Sequence, residues 1–460
     1  MLKNLKKEFK ENKLTQVFFV VIIVVLVFNT FNYYHELGYD GQHHKYNMEV
    51  LPLNLPTEED TKEFFNPPLP YLVPSVADKI CDKLIAPNIN NFNCSNFYGN
   101  VGQLLQSLIF ILLLYCLLRI SELIEPGNKN YKNSLLLLFL LPAVNYKTVV
   151  MIRGEIYVSL FIFACIFHFL SIMKREKITD RDLLINSLLL GFIGLSKQWG
   201  LLFFPALGTM SLIVFFYKDK NFSMKYLIYS AKSFLYSIFI FGWFYLYLFT
   251  NYGSITAFNR LPSKFSFTNQ PSSFYFDLAL QDLFSRPIRG FSLTNKLFPI
   301  LHADTWGDYW GYFLVTLGKG GRENFDIVPY LGRVNLIALI PTFILLAGLI
   351  YSVVTLRKKS DIGQIFYILI SLTVSFMWIG YIWFLIKYPN LEKGDTIKGT
   401  YIISLINLLP FFGANLLEKI RSINDLNQAV QQVLKSNQKT ILLVIYNSQN
   451  QRRYIGIKLD

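Results

Sequence analysis

Long apolar blocks alternate with shorter polar segments along most of the 460 residues. Most blocks hold about 17 to 25 residues, the length that a helix needs to cross roughly 30 Å of hydrocarbon. The pattern therefore predicts an all-α polytopic membrane protein with about ten transmembrane helices. The predicted spans are 15–33, 103–120, 134–150, 156–173, 183–196, 200–217, 226–249, 333–356, 363–386 and 399–417.

The fifth and sixth predicted spans are separated by only a few residues, Ser196 to Gly200. This segment is compatible with two short helices or with one long broken helix. Two helices give an even number of spans and place both termini on the same side of the membrane.

Composition agrees with the apolar pattern. Hydrophobic residues make up 53% of the chain and charged residues 16%, whereas ordinary soluble domains carry about 25% charged residues. This excludes an ordinary soluble enzyme or nucleic-acid-binding protein. The net charge of +14 must then be interpreted by its position relative to the membrane, and we expect no nucleic acid as a partner.

The basic residues cluster on one side of the predicted topology. If the N-terminus is cytoplasmic, the inner segments hold 25 Lys and Arg against 12 Asp and Glu, and the outer segments hold 18 against 18. This is the positive-inside pattern. It predicts cytoplasmic termini and a site on the outer face of the plasma (inner) membrane; an endoplasmic reticulum membrane with a luminal site satisfies the same topology. The first span has no small-residue cleavage site, so we expect a retained helix.

The topology divides the chain into a transmembrane domain, 1–417, and a small cytoplasmic tail, 418–460. The domain carries outer loops at 34–102, 250–332 and 387–398, and we expect the first of them to be partly helical. The tail begins with a helix-like stretch and ends in two β-like runs around a polar turn, which is typical of a hairpin. No internal repeat, Walker motif or dinucleotide fingerprint is present in the sequence, so ATP-driven transport has no support.

The four cysteines fall into two groups. Cys116 and Cys165 lie within predicted spans and are interpreted as packing residues. Cys81 and Cys94 lie in the first outer loop, in a compartment where thiols can be oxidised. They are expected either to form a disulfide or to remain as two free thiols.

Candidate chemistry follows the first span directly. Asp40 lies in Tyr39-Asp40-Gly41-Gln42-His43-His44, a few residues outside the membrane helix. A carboxylate there suits a general base acting on a substrate hydroxyl at the lipid–water boundary; the alternative is a solvated loop acid. Adjacent histidines with an Asp also suit a divalent metal, but without a third spaced cluster we do not favour one.

A second segment, Phe65-Asn66-Pro67-Pro68-Leu69-Pro70-Tyr71, follows about twenty residues later. Together the two segments resemble the GT-C superfamily of membrane glycosyltransferases, and especially its protein-mannosyltransferase and aminoarabinose-transferase branch. Asp40 and His44 match that branch's Asp-Glu-x-x-His type motif, with Gly41 in place of the acid. Residues 67–69 match its His-Pro-Pro-Leu type motif, with Asn66 in place of the histidine.

The resemblance covers roughly residues 15–250 and implies further site residues. Glu155 is the candidate for the missing second acid; alternatively it forms a simple ion pair with Arg153. Lys197 resembles the lysine that holds the donor phosphate in the family; alternatively its ammonium reaches the water interface.

Two residues outside this range complete the expected site. Lys398 is expected to help Lys197 and Arg153 bind the donor phosphate. Trp306, in the aromatic run 303–313, belongs either to an interface belt or to a sugar-stacking surface. We count it with His44, Asn66 and Pro67 as a residue of the substrate loops.

The resemblance implies a hexosyltransferase that moves a monosaccharide from a polyprenyl-phosphate donor to an acceptor hydroxyl. It implies an inverting single displacement with Asp40 as the base and no cofactor. The acceptor is a lipid, a glycan or a protein, and the donor is drawn from the surrounding membrane lipid. The competing hypotheses are a flippase or transporter of lipid-linked glycans, an oligosaccharide ligase or polymerase with a pyrophosphate-linked donor, and a scaffold without chemistry.

Overall fold

The computed structural model describes residues 12–36, 40–89, 92–218, 220–289, 293–315, 327–358, 361–435, 440–446 and 452–458. In chain order the helices are α1 (Lys13–Asn32), α2 (Gly41–Val50), α3 (Leu69–Ile80), α4 (Cys94–Ile124), α5 (Lys129–Leu140), α6 (Ala143–Val150), α7 (Glu155–Arg175), α8 (Asp180–Ser196), α9 (Phe203–Tyr217), α10 (Lys220–Tyr252), α11 (Ser272–Phe276), α12 (Leu280–Ser285), α13 (Leu297–Trp306), α14 (Tyr312–Val315), α15 (Val328–Val354), α16 (Asp361–Lys387) and α17 (Ile403–Lys435). Short 3₁₀ turns lie at Gln198–Leu202, Phe267–Asn269, Leu356–Lys358 and Gly399–Ile402, and a π-helical turn lies at Cys81–Ile85.

The all-α polytopic membrane fold is confirmed. In the described part of the chain, eight helices are long and apolar enough to cross a membrane, or nine if the bent pair α5 and α6 forms one span. The expected number was about ten. The difference comes from the predicted span 183–196, which lies on α8, because this helix has only 17 residues.

Local sequence explains where several helices break. Thr179 and Asp182 form a capping box that starts α8, each side chain accepting from the other's backbone N–H. The helix ends where Lys197 becomes extended, and a 3₁₀ turn leads into α9. The segment 183–217 is therefore two helices. Pro142 separates α5 from α6, which meet at 59°.

The helices pack around one large apolar core to which most of the spans contribute. Helix α10 packs along α8 and α9, α15 packs along α17, and α4 packs along α7. Cys116 and Cys165 are buried in this core, as the sequence predicted. The core joins the predicted first span to the last ones and supports the loops at one end of the bundle.

The first outer loop is partly helical, as predicted, because it contains α2 and α3. A disulfide joins Cys81, at the end of α3, to Cys94, the first residue of α4. This settles the question that the sequence left open. The bond closes the loop between the two helices and fixes α3 against the first turn of α4.

In the tail, α17 continues to Lys435 and two antiparallel strands follow, β1 (Thr440–Tyr446) and β2 (Arg452–Lys458). Thr440 is paired with Lys458 and Tyr446 with Arg452. The two strands coincide with the two β-like runs of the sequence.

Candidate active site

Asp40 lies between α1 and α2 and has a left-handed backbone conformation, with φ of 64°. Such a conformation is costly for a residue other than glycine and is often found at functional sites. A Cβ on the next residue, Gly41, would lie 2.4 Å from the carbonyl oxygen of Glu36. Because of this close approach, the acid that the resembled motif carries at this position would not fit here without a backbone shift.

Lys398 is the closest charged partner of Asp40. Its Nζ donates to Oδ2 of Asp40 over 2.5 Å, and their side chains are 4% and 20% exposed. The two residues are 358 positions apart in the sequence. The structure therefore places the predicted base against one of the predicted phosphate ligands.

Two opposing effects act on the pKa of Asp40. Burial raises the pKa, but the positive charges of Lys398 and Arg153 and the hydrogen bond from Lys398 outweigh it and hold the pKa below its ordinary value. Asp40 is therefore a carboxylate at neutral pH.

Arg153 and Glu155 stand on either side of Gly154 at the start of α7. Arg153 is 1% exposed, and its guanidinium lies 5.4 Å from the ring centre of Tyr312. Glu155 is also buried, and its Oε1 lies 3.5 Å from Nζ of Lys197. Glu155 thus faces Lys197, a partner that the sequence analysis did not consider.

Gly154 makes this pairing sterically feasible. A Cβ at this position would lie 1.9 Å from the carbonyl oxygen of Ser196. The start of α7 can therefore approach the end of α8 only with glycine here. That approach brings Glu155 beside Lys197, which directly follows Ser196.

His44 is fully buried on α2, where its Nδ1 lies 2.7 Å from the hydroxyl of Tyr71 on α3. Burial, together with the positive charges of Arg153, Lys197 and Lys398, lowers the pKa of His44 well below its ordinary value. His44 is therefore neutral at physiological pH. It serves as a hydrogen-bonding partner of Tyr71 and not as a cation.

Asn66 and Pro67 precede α3 and are buried. The amide nitrogen of Asn66 donates to Oε2 of Glu63 over 2.6 Å and to the carbonyl oxygen of Glu63 over 3.1 Å. The rigid Pro67-Pro68 turn leads into α3. Asn66, in the second predicted motif, therefore holds the side chain of Glu63 in place.

Glu63 is the functional candidate that sequence reasoning missed. It is 5% exposed, and burial raises the pKa of its carboxyl group while Lys197 and Lys398 act in the opposite direction. In the sequence, Glu63 follows the charged run Glu58 to Lys62 and resembles a solvated loop acid. Only the packing of the loop onto the cations shows that it belongs to the site.

Trp306 lies elsewhere. Its indole is buried against Leu138, Ala338 and Leu345. The aromatic residues of the same run that reach the site are Trp310, whose ring centre lies 5.8 Å from Nζ of Lys398, and Tyr312 beside Arg153. The aromatic run does contact the cations, but through Trp310 and Tyr312, which follow the expected Trp306 by four and six residues.

A cleft with a volume of about 160 Å³ opens beside Lys197. Its lining is mainly apolar and aromatic, with Asn66, Lys197 and Gln198 at the polar part. Gln198 also ties the cleft to the first outer loop by donating to the carbonyl oxygen of Phe65 over 3.0 Å. The aromatic and aliphatic lining residues are Phe65, Trp199, Leu201, Leu202, Phe258, Trp383, Phe384, Tyr388 and Tyr401.

A second, almost entirely apolar groove of about 610 Å³ continues from the same side of the molecule, between α9 and α10. Leu201 lines both cavities. The buried charges and the apolar cavities together form an arrangement that suits an amphiphile with an anionic head and a long hydrocarbon chain.

Metal binding was not favoured from the sequence. In the described residues, no group of three or more His, Cys, Asp and Glu side chains is close enough to hold a metal ion. Asp40 has the ammonium of Lys398 as its partner instead.

Comparisons with known proteins give a distant likeness. No family model and no curated protein matches the sequence. The oligosaccharyltransferase of Archaeoglobus fulgidus, solved with zinc and sulfate, is similar at a TM-score of 0.45 with 13% identity, over 91% of this chain and 51% of that one. ArnT from Cupriavidus metallidurans, bound to undecaprenyl phosphate, is similar at a TM-score of 0.36 with 13% identity. This match covers 91% of this chain and 80% of that one.

The chain spans about half the length of the oligosaccharyltransferase. At such low identity and TM-score, neither protein's activity or ligand transfers to this chain. The described part of the chain has the all-α fold of a multi-pass membrane protein.

Proposed function

We propose that the protein is a membrane glycosyltransferase that transfers a monosaccharide from a polyprenyl-phosphate donor to an acceptor hydroxyl. One observation carries the proposal. A half-buried carboxylate, Asp40, lies against a buried cation, Lys398, while Lys197 and Arg153 add positive charge and an apolar cleft begins at Lys197. Buried ionisable groups at a cleft are typical of functional sites.

The cations would bind the donor phosphate. Lys197 stands at the polar part of the cleft, with Lys398 and Arg153 nearer to Asp40. These charges act in surroundings from which water is largely excluded, so they stabilise an anion more strongly than exposed lysines do. The aromatic cleft and the groove between α9 and α10 would take the first isoprene units of the lipid.

Asp40 would act as the base. As the acceptor oxygen attacks the anomeric carbon, Asp40 accepts the hydroxyl proton, and the bond from that carbon to the phosphate oxygen breaks with inversion. The electron pair leaves on the phosphate, where Lys197, Arg153 and Lys398 stabilise it. Lys398 links both events, because a donor phosphate competes with Asp40 for its ammonium.

Glu155 and Glu63 keep the cationic site from being uniformly positive. Glu155 lies 3.5 Å from Lys197, and Glu63 adds a second acid that interacts electrostatically with the same lysine. We assign to Glu155 the task of orienting Lys197. We assign to Glu63 the binding of acceptor hydroxyl groups, since its hydrogen bond with Asn66 holds it in place.

We further propose that this site faces the outside of a plasma membrane and that both termini are cytoplasmic. The excess of basic residues in the other loops supports this orientation. The donor would then enter sideways from the outer leaflet. The acceptor would approach from the aqueous side, past the first outer loop.

The test is the release of free polyprenyl phosphate from a panel of polyprenyl-phosphate monosaccharides by the purified protein in lipid. Water replaces the acceptor in this assay. General bases contribute about 10² to 10⁴ in rate, so we expect Asp40→Asn to lower the release by at least about 100-fold. Asp82→Asn, an exposed residue of the same loop, is the matched control and should react like the wild type.

Two results would contradict the proposal. Equal release of polyprenyl phosphate by the wild type and Asp40→Asn would contradict the assignment of Asp40 as the base. If no donor is consumed but a donor crosses the bilayer, the protein is a transporter of lipid-linked sugars.

A further inference from the structure

A second buried ion pair lies behind the site and takes no part in the mechanism above. Nζ of Lys147, on α6, donates to Oδ1 of Asp304, on α13, over 2.8 Å, and also to the main-chain oxygen of Asp304. Both side chains are 0% exposed. Neither residue lines the cleft beside Lys197.

Such a pair is expensive. Each ion loses its hydration on burial, and the attraction between the ions repays this only with good geometry and further hydrogen bonds. Here the further bond is specific, because Oδ2 of Asp304 accepts from the backbone N–H of Gly399 over 2.6 Å. The pair therefore holds the residue that directly follows Lys398.

The rest of the Lys398 segment is fixed in the same way. The backbone N–H of Lys398 donates to the hydroxyl of Tyr381 over 2.9 Å, and the indole N–H of Trp310 donates to the carbonyl oxygen of Ile397 over 3.2 Å. The backbones of three consecutive residues, 397–399, are thus hydrogen-bonded to side chains of other elements. Asp304 supplies the charge-assisted bond among them.

The pair also reaches the second cation that acts on Asp40. Lys147 lies six residues before Arg153, on the short helix that leads to it. The ring of Tyr312 stands between them, with its centre 5.8 Å from Nζ of Lys147 and 5.4 Å from Cζ of Arg153. The pair of Lys147 and Asp304 therefore contacts Gly399, which follows Lys398, and Tyr312, which packs against Arg153.

We infer that Lys147 and Asp304 are positioning residues that set where Lys398 lies relative to Asp40. The bond from Gly399 to Asp304 transmits this constraint. The inference rests on the proposed function only in its purpose, the binding of a donor phosphate; the constraint itself is a property of the fold. It can therefore be tested without any donor.

Gly399 provides a mild way to disturb the constraint. A Cβ at Gly399 would lie 3.1 Å from Oδ2 of Asp304 and 3.3 Å from Oγ1 of Thr305. Asp304 cannot move away, since Lys147 holds it. Gly399→Ala should therefore push the Lys398 segment outward without changing any charge.

The experiment measures the rate of acetylation of Lys398 by acetic anhydride, with the full-length protein in lipid nanodiscs and peptide mass spectrometry as the readout. The exposed Lys83 and Lys393 serve as internal references. The main variant is Lys147→Met with Asp304→Leu, which replaces the pair by apolar residues, a change that proteins often tolerate. Loss of one hydrogen bond predicts roughly a fivefold increase in the Lys398 rate.

Three further variants make the test specific. Lys147→Met with Asp304→Asn keeps an oxygen for Gly399 but not the charge, so its rate of Lys398 labelling should lie between those of the wild type and the Leu variant. Gly399→Ala should give an increase even if the Leu variant does not fold. Lys132→Met with Glu122→Gln removes another lysine–carboxylate pair, between α4 and α5, and should leave the rate unchanged.

Unchanged labelling of Lys398 in folded Gly399→Ala and in the Leu variant would overturn the inference. So would an equal increase in the Lys132 and Glu122 control. Titration with undecaprenyl phosphate keeps the two proposals apart. If labelling changes as predicted but the wild type does not bind this lipid, the positioning role stands and the proposed donor fails.

Discussion

The two ends of α7 show two ways of handling charge. At the site end, the end of the bundle with Arg153, Glu155 and Lys197, the ions are buried. At the far end, the end with Arg175, Glu176 and Lys218, the ion pairs remain partly exposed. The 21 residues of α7 separate the two ends by about 30 Å.

The difference indicates which charges carry function. Surface pairs contribute about 0–1 kcal/mol, so they cost little and have little effect. Buried pairs are costly to form, and folding alone gives no reason to gather several of them at one end. We therefore expect the proposed chemistry to depend on the charges of the site end and to be little affected by those of the far end.

The comparison is tested most strongly by stability. Lys147→Met leaves the carboxylate of Asp304 buried without its cation, and breaking a buried pair in this way costs about 3–5 kcal/mol. Unfolding by sodium dodecyl sulfate, followed by tryptophan fluorescence, measures the loss. Lys147→Met combined with Asp304→Asn should recover most of the stability; failure to recover would mean that the charge pair is not the cause.

The pH dependence tests the site end in another way. Lys398 is a main reason why the pKa of Asp40 lies below its ordinary value, and burial acts in the opposite direction. In Lys398→Met, burial outweighs the remaining cation more easily, so the pKa of Asp40 rises. The acidic limb of donor hydrolysis, measured at saturating donor, should therefore move to higher pH.

Lys393→Met is the control for this shift, because Lys393 is exposed in the same outer segment. An acidic limb that stays in place in Lys398→Met would show that Asp40 is not the titrating base. His44 contributes no limb near its ordinary pKa, since burial keeps it neutral.

The smallest effect is expected at the far end. Nζ of Lys218 lies 3.0 Å from Oε1 of Glu176, whose side chain is 58% exposed. Lys218→Met should change the free energy of unfolding by no more than about 1 kcal/mol and leave hydrolysis unchanged. A loss as large as that of Lys147→Met would remove the distinction between the two ends.

The sequence predicted what depends on local pattern. The length of the apolar blocks predicted the spans. The exception is α8, which with 17 residues is too short to be counted as a span. Asp40 and Lys197 were selected as candidates because each lies near the end of an apolar block and matches a residue of the resembled motifs. Gly41 was noted as a departure from the motif, and the carbonyl of Glu36 lies too close for the motif's acid to fit without a backbone shift.

The pairings depend on how distant segments pack, and the sequence does not contain them in readable form. Asp40 meets Lys398 across 358 positions, and Glu155 faces Lys197 because Gly154 lets two helices touch. Trp306 was selected from one aromatic run, although Trp310 is the tryptophan that lies near Lys398. The sequence does not show which aromatic side chains of such a run point toward the site, because this depends on the local backbone conformation. Lys147 and Asp304 carry no local signal at all.

The most direct test of the central claim is the binding of undecaprenyl phosphate to the protein in nanodiscs, compared between Lys197→Met and Lys218→Met. Hydrogen bonds to charged groups contribute about 1.5–3 kcal/mol, so we predict that Lys197→Met weakens binding by roughly 10- to 100-fold. Lys218→Met should bind like the wild type. Equal affinity of Lys197→Met and the wild type would contradict the assignment of the buried cations to a lipid phosphate.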